Sequence, residues 1–268
     1  MIEALSRRVA PIAPPASDAV TACAEIPSAA GSDALCSYEL FTLREAVDYA
    51  ANGTWRLPSF QRDFIWTARG VVDLAESLWL DYPIGPLLLW DRTDPKEPGG
   101  AAPRLILDGQ HRLTSLCFLF GKRPSWWSVE KAERWNELVP KFEVWFDLGA
   151  QRPPFFKSGS DRAISRDPQR FMRFSDLLIL DPGSGGLESI ASLHGADTDL
   201  GAVRSRLDRI RTITAISDRN LMATCVRHQS LADALEIFAR LNSQGIRFRR
   251  LLLSTAIKAT RALWKSSL

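Results

Sequence analysis

Residues 105–121 read LILDGQHRLTSLCFLFG, and this stretch is the most informative about the fold. Its apolar start predicts a buried strand, and Asp108-Gly109 predicts a turn into a helix over residues 111–120 that Gly121 ends. The first turn of a helix carries backbone amides without partners and the positive end of the helix dipole. The stretch therefore predicts an anion site at the carboxyl end of a strand, where ligand sites of α/β domains form.

The side chains of this turn suit a phosphate. Asp108 is a ligand for Mg²⁺ or a group that activates water, and Arg112 offers a planar fork of donors to phosphate oxygens. Gly109 would let a ligand approach the backbone closely. The alternative is purely structural, with Asp108 as the helix cap and Arg112 as its ion-pair partner. The context at a strand end favours a nucleotide or DNA phosphate.

Helix and strand signals alternate along the rest of the chain. Thr42 and Glu45 match a capping box, which predicts a helix that begins there and ends near Gly53. Further helices are predicted over residues 70–80, 128–138, 200–213, 230–241 and 251–264, strands over 87–90, 104–107, 142–146 and 221–226, and a polar loop over 153–169. This alternation predicts an α/β or α+β fold.

Composition indicates the bounds of the domain and the compartment in which the protein works. Residues 1–36 are rich in Ala, Pro and Ser and lack aromatic residues, which predicts a disordered segment before one domain over residues 37–268. The net charge of +3 allows a nucleic-acid partner but does not argue for one. The four cysteines form no Cys-x-x-Cys pair, and Cys117 and Cys225 lie in apolar runs. This usage indicates a reduced, cytoplasmic protein, and we expect neither a signal peptide nor a membrane span.

Two further segments contain polar side chains that are candidates for a site. Residues 58–66 read PSFQRDFIW, in which three aromatic residues enclose Gln61-Arg62-Asp63. Buried aromatic side chains would fix the geometry of this polar triplet, whereas the alternative is a surface loop with aromatic anchors. Residues 238–245 read FARLNSQG, where Asn242 ends a predicted helix and is by itself best explained as a cap.

Together, these segments resemble the N-terminal domain of GmrSD-type restriction proteins, a bacterial family found in phage defence. The resemblance rests on four motifs in the expected order: residues 58–66, a Tyr-Pro-Ile-Gly segment at residues 82–85, Asp-Gly-Gln-His-Arg at residues 108–112, and residues 238–245. It covers residues 38–262. His111 stands where the family usually has a second Gln, so the resemblance does not fix the nucleotide preference.

The resemblance implies an α+β fold like that of ParB and sulfiredoxin, with a small mixed sheet, surrounding helices and a helical C-terminal part. It implies a nucleoside triphosphate and Mg²⁺ as cofactors, with Asp108 as the metal ligand. The implied catalytic residues are Asp108, Gln110 and Arg112, and the implied nucleotide-binding residues are Gln61, Arg62, Gly109, His111 and Asn242.

The resulting hypothesis is an NTP-binding and NTP-hydrolysing domain of a DNA restriction system. The alternatives are a DNA-binding or DNA-nicking domain that uses the same phosphate site, and an interaction domain without catalysis. Relatives often continue into a nuclease domain, so we expect this domain to be shortened at its C-terminal end. We also expect DNA and either a separate nuclease subunit or a second copy of the chain as partners.

Overall fold

The computed structural model describes residues 36–59, 61, 63–91, 103–127, 132–150, 152–180, 200–227 and 230–242. All of them belong to one compact unit that spans residues 35–268. The predicted disorder over residues 1–36 lies outside the described residues, except at Cys36, which begins the first strand. The predicted helix over residues 251–264 also lies outside them.

A five-stranded sheet forms the centre of the fold. Its strands are β1 (Cys36–Thr42), β2 (Trp55–Arg56), β3 (Leu87–Asp91), β4 (Arg104–Asp108) and β8 (Asn220–Arg227). Their order is β1-β8-β3-β4-β2. The pairs β8–β3 and β4–β2 are parallel, whereas β1–β8 and β3–β4 are antiparallel. This mixed sheet confirms the predicted α+β class.

Helices cover both faces of this sheet. One face is covered by α1 (Leu43–Asn52), α2 (Ala68–Trp79) and α3 (Gln110–Leu119), and the other by α8 (Leu231–Asn242). Side chains of a strand alternate between the two faces. Leu87 and Leu89 accordingly belong to the larger core with α1–α3, whereas Leu88 and Trp90 belong to the smaller core under α8.

A second, three-stranded antiparallel sheet was not predicted. It contains β5 (Val144–Asp147), β6 (Phe156–Ser158) and β7 (Phe171–Arg173) in the order β6-β5-β7. Around it lie α4 (Ala132–Phe142), α5 (Arg162–Arg166), α6 (Phe174–Leu178) and α7 (Leu200–Thr214). The prediction of a loop over residues 153–169 was therefore wrong. A strand of three residues has too few positions to show a period, so it becomes visible only through its partner strand.

Local signals located the first helix correctly. The Thr42 hydroxyl accepts a hydrogen bond from the Glu45 amide (3.1 Å), and the Thr42 amide donates to Glu45 Oε2 (2.7 Å). Gly53 ends the helix in a left-handed conformation with φ 84°. The capping box and the helix end are both confirmed. Cys117 and Cys225 are buried as predicted, and burial raises the pKa of Cys225 to about 12.

Candidate functional site

Three of the four motif segments meet at one edge of the central sheet. Because β2 and β4 are parallel, the segment after β2 and the turn after β4 leave the sheet at the same edge. Because β3 is antiparallel to β4, the loop before β3 also arrives there. Hydrogen bonds join the first two segments: Gln61 Nε2 donates to the carbonyls of Ile106 (3.3 Å) and Leu107 (3.0 Å), near the end of β4.

Gly109 forms the turn between β4 and α3. Its φ of 90° is a left-handed conformation that L side chains adopt only with strain. A Cβ at this position would lie 2.3 Å from Leu87 Cδ2, so the space beside the glycine is filled by the core of the protein. Glycine is thus required for the turn and for packing on β3. The prediction that Gly109 lets a ligand approach the backbone is not tested by this packing.

The N-terminus of α3 begins at a glycine. Gly109 is the residue that precedes the helix, and it supplies no side-chain cap. The structural alternative in which Asp108 caps the helix was therefore wrong. The ion pair that the same alternative predicted is confirmed, since Arg112 Nη2 lies 3.6 Å from Asp108 Oδ2. The Asp108 side chain is 44% exposed, so the carboxylate is accessible at the start of α3.

Arg112 is held by the loop before β3. Its Nη1 donates to the carbonyls of Gly85 (2.5 Å) and Pro86 (2.8 Å). Burial lowers the pKa of Arg112, and the charge of Asp108 offsets part of that effect. Gly85 has a φ of 78°, and a Cβ there would lie 3.0 Å from Arg112 Nη1. The motif at residues 82–85 thus shapes the backbone that holds the arginine.

The first turn of α3 separates two recesses. Gln110 is buried and faces a cavity of about 220 Å³ whose described lining is Leu57, Pro58, Ser59, Gln61, Asp63, Phe64, Gln110, Thr114, Trp126 and Trp127. Arg112 faces a wider groove of about 550 Å³ on the other side, whose described lining includes Trp66, Thr67 and Ile84. His111 lies between them, with its ring centroid 5.7 Å from that of Phe64 and 6.5 Å from that of Trp66.

The structure brings together six of the predicted site residues: Gln61, Asp108, Gly109, Gln110, His111 and Arg112. Arg62 and the side chain of Asn242 lie outside what the structure describes. The backbone of α8 nevertheless ends at Asn242, and its Phe238 belongs to the same core as Leu107, which directly precedes Asp108.

A magnesium ion fits the exposed carboxylate of Asp108. Mg²⁺ is commonly bound by one or two carboxylates, water and the phosphates of a substrate, rather than by a cage of protein ligands. The described residues contain no group of three or more His, Cys, Asp or Glu side chains that would form such a cage. Asp108 is therefore the described residue at this turn that would hold an ion arriving with a phosphate ligand.

Comparison with known proteins identifies the family. The family of the GmrSD restriction endonuclease, N-terminal domain, matches residues 43–251, which is more than half of the chain. The chain belongs to this family. An uncharacterised protein of Methanocaldococcus jannaschii is 33% identical over 99 residues, which cover 31% of this chain and 17% of the relative. The match thus spans less than a fifth of that relative's length.

The turn of this GmrSD N-terminal domain and its surroundings contain residues that the sequence reasoning missed. Trp126 and Trp127 line the cavity together with Thr114 and Asp63, and none of the four was predicted as a site residue. The pair of adjacent tryptophans is the signal that could have found two of them, because aromatic side chains commonly line ligand pockets. Within the described residues, no helix has the length and apolar character needed to cross a membrane.

Proposed function

We propose that this GmrSD N-terminal domain binds a nucleoside triphosphate with Mg²⁺ at the turn formed by residues 108–112 and hydrolyses it. Membership of the family points to a role in a restriction or phage-defence system. Nucleotide hydrolysis would then be the step that this domain contributes to the system. DNA would be the partner, and a nuclease subunit or a second copy of the chain would complete the assembly.

One observation carries the proposal. Gln61, Asp108 and Gln110 lie together where two parallel strands end and helix α3 begins. The N-terminus of a helix attracts phosphate, and the carboxyl ends of strands are where α/β domains place their ligands. The exposed carboxylate of Asp108 supplies what a phosphate site still needs, a ligand for the accompanying cation.

Each residue then has a role. The amides of the first turn of α3 would bind phosphate oxygens, where the helix dipole favours negative charge. Asp108 would hold Mg²⁺, which when bound neutralises phosphate charge. The Gln110 carboxamide would orient the attacking water, as glutamine does in other nucleotide hydrolases. Arg112, fixed by two carbonyls, would present its remaining N–H groups to charge that develops on the terminal phosphate.

A nucleotide panel tests the proposal. The chain is incubated with Mg²⁺ and each of ATP, GTP, CTP and UTP, and both binding and phosphate release are measured. We expect binding of at least one nucleotide and release of its terminal phosphate. Binding without release would restrict the domain to nucleotide sensing. If no nucleotide binds, the phosphate site is wrong and an interaction domain without catalysis becomes the better description.

A second function, direct contact with DNA, is favoured by helix α7. This helix carries four arginines against one aspartate. Two of them, Arg204 and Arg209, line an open groove of about 400 Å³ together with Ser205, Thr212 and the one acidic residue, Asp208. Arginine and hydroxyl side chains along an open surface are the groups that contact a phosphodiester backbone. This surface extends the DNA alternative beyond the turn at Asp108.

Salt dependence tests the DNA surface. We expect Arg204→Ala to weaken binding of duplex DNA and to reduce the dependence of log K on log salt by about 0.9, the value for one lost phosphate contact. Arg69→Ala is the matched control, because Arg69 is also an exposed helical arginine but is paired with Asp73 (2.7 Å). Equal effects of the two substitutions would show that binding responds to the overall charge and that Arg204 does not contact DNA.

A further inference from the structure

The cavity beside α3 is lined by one aromatic residue, Trp126, that packs against the core on one side but stacks on no other ring among the described residues. Trp127 contacts Phe118 and Trp135, with ring centroids 5.7 and 4.8 Å apart. Phe64 contacts Phe118 and three other rings. Trp126, by contrast, is half-buried and makes no ring contact with any aromatic side chain in the described ranges. Its ring borders the cavity with a surface available to a ligand.

The backbone on both sides of Trp126 is fixed. The Ser125 amide donates to the carbonyl of Ala50 at the end of α1 (2.8 Å), and the Trp127 amide donates to the carbonyl of Pro124 (3.1 Å). Trp127 is buried in the core next to it. The tryptophan therefore stands on a turn that is anchored to a helix and to the core, which reduces the entropic cost of binding a ligand against it.

Hydrogen-bond acceptors complete the cavity. Gln61 uses its Nε2 for the carbonyls of Ile106 and Leu107, which fixes the carboxamide and leaves Oε1 without a hydrogen bond among the described residues. Asp63 is exposed and forms no ion pair with any residue in the described ranges. The hydroxyl group of Thr114 belongs to the same lining. A flat aromatic surface with fixed acceptors nearby is suited to a heterocycle that carries N–H groups.

The cavity also continues into the proposed phosphate site. Gln110 lines the cavity and is also the first residue of α3, so the cavity borders the N-terminus of that helix. A ligand with phosphates at the helix N-terminus would thus place the rest of its structure in this cavity.

We propose that this cavity binds the nucleobase of the nucleotide, stacked on Trp126, with base N–H groups directed at Gln61 Oε1 and the Asp63 carboxylate. This inference rests on the proposed function, since the phosphates direct the ligand to this side of α3. The proposal assigns Trp126, Gln61 and Asp63 to base binding and leaves phosphate binding to the turn at residues 108–112.

The test distinguishes binding of the base from binding of the phosphates. Binding of NTPs and of inorganic tripolyphosphate, each with Mg²⁺, is measured by calorimetry for the wild type, Trp126→Leu and Trp126→Phe. Base stacking on an aromatic side chain contributes about 1–3 kcal/mol, so Trp126→Leu should weaken NTP binding by about 5- to 150-fold. Tripolyphosphate binding should not change, and Trp126→Phe should retain most of the NTP affinity because it keeps an aromatic ring.

Trp145→Leu is the matched control, because Trp145 is a half-buried tryptophan of β5 in the other sheet. NTP affinity that is unchanged in Trp126→Leu, or a loss that is equal for NTP and tripolyphosphate, would overturn the base site while leaving the proposed hydrolysis intact. If the wild type binds neither NTP nor tripolyphosphate, the proposed function fails, and the base site fails with it. Melting temperatures of all variants show whether a loss of binding is a loss of folding.

Discussion

Both the backbone conformation and the surrounding space require a glycine at position 109, so we expect Gly109→Ala to destabilise the protein strongly. Two effects add at this position. A left-handed backbone costs an L residue about 1–2 kcal/mol, and φ here is 90°. The new methyl group would also lie 2.3 Å from Leu87 Cδ2, inside a core where overpacking costs about 1–3 kcal/mol. The expected loss of unfolding free energy is therefore about 2–5 kcal/mol.

A matched glycine separates the two effects. Gly53 also has a positive φ, 84°, but the nearest atom to its added Cβ is 3.6 Å away. Gly53→Ala should therefore cost only the backbone part, about 1–2 kcal/mol. A double-mutant cycle provides a second check, because Leu87→Ala removes the side chain that the new methyl group meets. In that background, Gly109→Ala should cost about 1–3 kcal/mol less than in the wild type.

Urea denaturation, followed by tryptophan fluorescence and circular dichroism, measures the free energy of unfolding of the wild type and of the four variants. If Gly109→Ala costs no more than Gly53→Ala, the packing argument fails. If the cycle shows no coupling between positions 109 and 87, the contact with Leu87 is not the reason for glycine at this turn.

Three further substitutions probe the surroundings. Arg112→Lys should lower the free energy of unfolding by about 1.5–3 kcal/mol in urea denaturation, because one ammonium group cannot replace both Nη1, which donates to the two carbonyls, and Nη2, which faces Asp108; full stability of this variant would contradict the account. Thr42→Ala should cost about 1 kcal/mol of stability through loss of the helix cap, and an unchanged melting temperature would argue against it. Burial alone would raise the pKa of Glu39, but the hydrogen bond and charge of Arg104 outweigh it and hold the pKa below its ordinary value. The stability from this pair is thus present above the unfolded pKa of about 4.3 and is lost as the pH falls through the lower folded pKa. Glu39→Gln should therefore make the free energy of unfolding depend less on pH in the acidic range.

The parts of this fold that could be predicted are those set by neighbours in the sequence. The capping box at Thr42 and Glu45 fixed the start of α1, because both partners lie within one turn. The strand–turn–helix at residues 105–121 was predicted because an apolar run, a glycine turn and a second apolar run follow each other directly.

The parts that could not be predicted depend on partners far away in the chain. β6 exists because Phe156 pairs with Phe146 across the second sheet, and three residues show no period by themselves. The alternative in which Asp108 caps α3 was reasonable for an aspartate before a helix. It fails because Gly109 takes the position that precedes the helix. The role of Trp126 in the cavity depends on which neighbouring rings fill the core, which is a property of packing rather than of spacing.

Phosphate release by Asp108→Ala decides whether the turn at Asp108 hydrolyses a nucleotide, as proposed. Asp48→Ala is the control, because the Asp48 side chain is 45% exposed and paired with Lys122, much as Asp108 is 44% exposed and paired with Arg112. With Mg²⁺ and the nucleotide that the wild type prefers, Asp108→Ala should release no phosphate while keeping the wild-type melting temperature, and Asp48→Ala should retain release. Phosphate release by Asp108→Ala at the wild-type rate would contradict the account.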